Sequence, residues 1–181
     1  MFRYGNRTLA LLSVGGFCLA LLSGCSWFES NKEKTPALYL VNVLDKPFFD
    51  DCHIPGSLNV SMMDIKNVAQ SWSKSADVVI YCSNYSCEAS THCCKMLQTM
   101  GFEKVWDYEE GMAGWYQAHV KDPVAYPIVG EAQQPYLTME NKPLVETAQA
   151  ETAVKKITTE QLKELINSCA DEGKKHSCSS C

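Results

Sequence analysis

Several absences in this 181-residue sequence narrow its chemistry before any motif is read. Basic charge is not in surplus: 16 lysines and arginines face 21 aspartates and glutamates, a formal net charge of −5, and the lysines are scattered. Neutralising a phosphate backbone takes a concentrated basic face, so nucleic acid is not an expected partner. A long unbroken apolar run is also missing. The apolar stretch near the N-terminus, "LALLSVGGFCLALLSGC", is short and glycine-containing, which disfavours a membrane-spanning helix. Cys178 and Cys181 have no second Cys-x-x-Cys to match them, so half of a four-ligand zinc site is missing and no metal or other cofactor is expected. Finally, no lysine or arginine stands between Cys82 and Glu88, although that part of the chain is the richest in cysteine.

What is present begins with an export signature. Arg3 and Arg7 precede the apolar run, which closes on small residues. Its end, Leu22-Ser23-Gly24-Cys25, resembles the lipobox of bacterial lipoproteins. The resemblance implies a signal peptide over residues 1–24, lipidation of Cys25, and a lipid anchor on the periplasmic side of a bacterial membrane. Ser26 follows where that family's inner-membrane retention signal has aspartate, which favours the outer membrane. An uncleaved anchor is the rival reading. Export also puts the remaining cysteines in an oxidising setting, where thiols pair unless something keeps them reduced.

After a polar tether over residues 25–37, strands and helices alternate. "ALYLVNV" and "DVVIYC" are strand-length apolar runs, "SMMDIKNVAQSW" has helical spacing, and Ala89, Cys93, Met96, Leu97 and Met100 share one face of a helix ending at Gly101. "EKVWDY" reads as a further strand and "GMAGWYQAH" as a short helix or turn. This order predicts an α/β fold: a small parallel sheet flanked by helices. Ligands of such sheets sit beyond the carboxyl ends of the strands, and Cys82 stands at one of those ends. A strand-to-helix bend there gathers backbone N–H groups over residues 83–88, with Ser83, Asn84, Tyr85, Ser86 and Glu88 as the expected binding loop and Cys82 as the thiolate nucleophile.

The stretches "LYLVNVLDKPFFDDCHIPGSLNV", "VVIYCSNYSCEAS" and "GFEKVWDYEEGMAGW" together resemble the rhodanese-like domains, in order and spacing, over an expected core of residues 38–118. The resemblance implies sulfurtransferase activity: Cys82 takes sulfane sulfur from a donor, holds it as a persulfide, and passes it to a thiol acceptor, each a small molecule or a protein. Two departures stand out. Asn42-Val43-Leu44 replaces the family's Asp-Val-Arg, and Cys87 occupies a position where many members carry arginine. Without that bidentate grip, a dianion such as thiosulfate is a poor donor. Cys87 is instead a candidate resolving thiol within bridging range of Cys82, or else a packing residue. The alternative function is a non-catalytic or thiol–disulfide module on the same scaffold, with Cys82 and Cys87 as its redox pair.

The remaining features carry less chemistry. His53 reads as structural, His92 as solvent-facing, and Cys93 as a core residue with Cys94 pointing elsewhere. Residues 119–155 form a proline-rich extended connector and residues 171–181 a cysteine-rich tail, for which a plain disulfide is the expected state. Between them, residues 156–170 carry a helix with Thr158 and Gln161 as a capping box and Leu162, Leu165, Ile166 and Cys169 as its apolar stripe. Rhodanese-like domains usually open with such a strand–helix unit, and no room exists for one between Cys25 and Leu38. The C-terminal unit is therefore expected to fold back and complete a circularly permuted domain, its rivals being a truncated repeat or a free helix.

Overall fold

Strand β1, Leu38–Asn42, and strand β3, Asp77–Tyr81, read as near-continuous apolar runs because both faces of each are covered. The computed structural model describes residues 38–143 and 154–177. Cys25, the signal, the tether and the tail cysteines Cys178 and Cys181 lie outside the described residues. With β2 (Leu58–Asn59), β4 (Lys104–Tyr108) and β5 (Lys155–Lys156), the two strands form a five-stranded parallel sheet in the order β2-β1-β3-β4-β5. Asn42, Tyr81 and Tyr108 are in register, so the loops that follow β1, β3 and β4 leave the sheet side by side.

Side chains alternate across the sheet. Tyr39, Val41, Val78, Ile80 and Cys82 pack on one face with helices α2 (Ile65–Val68) and α3 (Ala89–Thr99). Leu40, Val79, Tyr81 and Tyr108 pack on the other with α4 (Gly111–Lys121) and α5 (Thr159–Ser177). The short helix α1, Lys46–Asp51, buries no residue of its own. Two details depart from the sequence reading. Cys94 is as fully buried as Cys93, its Sγ 3.5 Å from the Trp106 carbonyl oxygen, because the sheet-facing stripe of α3 is wide enough to take two consecutive side chains. The segment after α4 is extended but fastened: Val129 bridges His53, the Asp51 carboxylate accepts the N–H groups of Gln133 and Gln134, and Leu137 is fully buried.

The C-terminal strand–helix unit completes the sheet. β5 adds to β4 with Trp106 opposite Lys155 and Asp107 opposite Lys156. At the start of α5, Thr158 N–H donates to Gln161 Oε1 at 3.0 Å and Gln161 N–H to Thr158 Oγ1 at 3.3 Å, so two helix-end donors are satisfied reciprocally. Leu162 is fully buried, and Leu165 and Ile166 pack against the same cluster. The helix runs on to Ser177, beyond the residue 170 expected from its stripe. Because Leu162 belongs to the domain core, Leu162→Ala is expected to cost about 2–5 kcal/mol of unfolding free energy, read by denaturant titration. An unchanged unfolding midpoint would contradict the docking of α5.

Candidate active site

The loop of residues 82–88 joins the end of β3 to α3, and α4 shapes it from beside. The first N–H groups of a helix have no partner within it. In α4, Met112 N–H donates to the Cys82 carbonyl and Ala113 N–H to the Ser83 carbonyl, both at 2.9 Å. This approach is close: Gly111 has φ +61°, and a Cβ there would stand 2.7 Å from the Cys82 carbonyl oxygen and 2.8 Å from Asn84 N. Asn84 then folds the loop over. Its carbonyl accepts Cys87 N–H at 3.0 Å, and its Oδ1 accepts Ser86 N–H at 3.1 Å. From outside, Asn141 Oδ1 accepts Tyr85 N–H at 3.2 Å while Asn141 Nδ2 donates to the Glu110 carbonyl at 2.8 Å.

The expected loop residues therefore divide. Tyr85 and Ser86 turn their amides toward Asn141 and Asn84, away from the thiols. Ser86 and Glu88 are exposed, and the Glu88 side chain makes no cap bond to α3. Ser83 and the first residues of α3 supply the donors that reach sulfur. Cys82 is fully buried. Its Sγ lies 3.1 Å from the Cys87 carbonyl oxygen, and Ser90 Oγ stands 3.8 Å away on its other side. Cys87 is half-buried; the Cys82 thiol hydrogen points to its carbonyl oxygen, and the Cys82 thiol, the Ala89 and Ser83 N–H groups and the Ser83 hydroxyl all lie where they favour a negative charge on its sulfur.

That arrangement separates the two sulfurs in acidity. Donation from the Cys82 thiol, reinforced by the Ala89 and Ser83 donors and opposed by burial, lowers the Cys87 pKa from 9.0 to about 5. Donation to Cys87, followed by burial, raises Cys82 well above the usual thiol range. The two thiols titrate as one pair, and the direction of the shifts makes Cys87 the more acidic of the two sulfurs. The donors expected to gather on Cys82 divide between the two sulfurs: Ser90 faces Cys82, while Ala89 and Ser83 face Cys87.

Acidic groups stand at the next strand end. Burial, with Glu110 and Glu109 nearby, pushes the Tyr85 phenol up to about 12. Glu109 pairs with Lys156 at 2.9 Å, and the Glu110 carboxylate accepts the Thr159 N–H at 3.2 Å and hydroxyl at 2.8 Å. Thr159 Oγ1 in turn meets Tyr108 OH at 2.5 Å, so the permuted unit also braces the turn that opens α4. His53 is structural, stacked on Phe49 with Nδ1 2.8 Å from the Phe49 carbonyl oxygen, and His92 is exposed. Sequence reasoning missed Asn141, Glu110 and Ser90. Asn141 lies in the connector with no local signal, Glu110 reads as a turn residue, and Ser90 stands across the loop from Cys82 on a different element. Among the described residues no group of three or more His, Cys, Asp or Glu side chains could hold a metal ion.

The model of the rhodanese-like domain family matches residues 25–118 of this chain. No curated protein matches. Among solved structures, the rhodanese-like domain of the Alr3790 protein from Anabaena sp. is similar at 28% identity, covering 46% of this chain and 83% of that one with a TM-score of 0.42. The BH2092 protein from Bacillus halodurans is similar at 21% identity over 53% of this chain and 66% of that one, TM-score 0.46. A rhodanese from E. coli, solved with anions, is similar at 22% identity over 51% and 98%, TM-score 0.39. The close approach at Gly111 yields a direct check. Gly111→Ala is expected to cost about 2–4 kcal/mol, from its positive φ and the displaced loop backbone. Wild-type stability in a denaturant titration would contradict the described contact between α4 and the loop.

Proposed function

The chain belongs to the rhodanese-like domain family, and from that premise we propose that it is a sulfurtransferase carrying sulfane sulfur as a persulfide of Cys82. The observation that carries this reading is the thiol pair at one strand end, Cys82 beneath Cys87, with backbone and hydroxyl donors on both sulfurs. A persulfide is an anion at neutral pH, and Ser90 offers Cys82 a backbone N–H and a hydroxyl to hold it. In transfer out an acceptor thiolate attacks the outer sulfur and takes it, and Cys82 leaves as a thiolate that takes a proton from solvent.

The site's charge selects among donors. No cation lies in the loop, and Glu109 and Glu110 stand beside Tyr85. A dianion such as thiosulfate meets repulsion there without a compensating arginine, whereas a low-molecular-weight persulfide brings one charge at most. In the same proposal the domain works outside the cytoplasm, held by a lipid on Cys25 at the periplasmic side of a bacterial membrane, the outer membrane favoured.

Intact mass of the reduced full chain tests the chemistry. After brief exposure to cysteine persulfide the chain is expected to gain one sulfur atom, and far less from thiosulfate. The gain disappears when Cys82 and Cys87 are both replaced by serine. A wild-type chain that takes up no more sulfur than this double variant is not a sulfurtransferase of this kind.

A further inference from the structure

We infer that sulfur enters through Cys87, which takes it from the donor and hands it inward to Cys82. The inference rests on the sulfur-transfer reading above and adds the order of events. Attack on a persulfide that arrives from solvent needs a thiolate with a side open to solvent, because the incoming sulfur, the transferred sulfur and the leaving sulfur must lie nearly in line. Cys82 meets neither condition. It is fully buried, with the Cys87 carbonyl oxygen 3.1 Å away, the Asn84 carbonyl oxygen 4.0 Å away and Ser90 Oγ 3.8 Å away. Its hydrogen is committed to residue 87. Cys87 meets both, since it is half-buried and its sulfur collects the Ala89 and Ser83 donors.

The steps balance without an external oxidant. The Cys87 thiolate attacks the outer sulfur of a donor R–S–SH; the bond to Cys87 forms, the donor S–S bond breaks, and R–S⁻ leaves and takes a proton from solvent. Cys82 then attacks that same outer sulfur while its thiol proton passes to the departing Cys87 sulfur. The products are a Cys82 persulfide and a Cys87 thiol, which returns its proton to solvent and is ready again. The contact between Cys82 and Cys87 that depresses the outer thiol is thus also the path along which sulfur and proton exchange. Burial then shelters the loaded persulfide from chance thiols.

Loading kinetics of the two single variants test the order. Each full-length reduced chain is mixed with cysteine persulfide, quenched by alkylation, and fragmented to place the added sulfur. Cys82→Ser is expected to load on Cys87 and to keep the sulfur there, and Cys87→Ser to load at least about tenfold more slowly than the wild-type chain. In the wild-type chain the earliest quench places sulfur on Cys87 and later ones on Cys82. Wild-type loading of Cys82 in Cys87→Ser, or sulfur on Cys82 first in the wild-type chain, overturns the entry role and leaves the sulfurtransferase standing. Uptake in neither variant nor the wild type, with all three melting alike, overturns both.

Discussion

The N–H groups that open α4 have no partners inside their own helix, and two of them end on the carbonyls of Cys82 and Ser83. Much of the site depends on that pair of bonds. They pin the start of the loop and bring Gly111 against its backbone, closer than any side chain would allow. With the loop's first carbonyls drawn toward α4, Asn84 can close the turn and carry Cys87 back over Cys82. The bonds in turn depend on where α4 begins. That point is fixed by Glu110, whose carboxylate is held by Thr159 and whose carbonyl is held by Asn141. Two segments distant in sequence therefore brace one seven-residue loop.

This bracing gives a loop without a cation a way to favour a thiolate. Where an arginine would supply a full charge, here a neighbouring thiol, two backbone amides and a serine hydroxyl supply partial ones at short range. Such donors need no counter-charge and suit a group of one negative charge. Glu109 and Glu110 add negative potential beside Tyr85, part of which Lys156 offsets at Glu109. With Cys87 in place of a cation, the acidity of the site is set by these partial charges.

What the sequence showed and what it concealed divide along contact distance. β3, α3 and the Thr158–Gln161 box were legible because each is written in residues close together: an apolar run, a 3.6-residue stripe, two capping residues three apart. The docking of residues 154–177 was legible by a different route, from a strand–helix unit missing at one end and present at the other. How the donors divide between Cys82 and Cys87 was not legible in the sequence, since it depends on Met112, Ala113 and Asn141 reaching the loop from elsewhere. The burial of Cys94 was missed for a related reason. A helix stripe read from its own sequence gives its direction, and the sheet beneath decides its width.

The central claim is that the loop makes Cys87 the more acidic of two neighbouring cysteines, so that Cys87 bears the charge when the pair loses its first proton. Thiolate absorbance followed from low to neutral pH tests it most directly, in the wild-type chain, Cys82→Ala and Cys87→Ser. The account predicts one thiolate appearing near pH 5 in the wild-type chain, absent in Cys87→Ser and shifted upward in Cys82→Ala, where the donating thiol is gone. A wild-type chain with no thiolate below about pH 8, the range of an ordinary cysteine, or one whose early thiolate survives in Cys87→Ser, would contradict it.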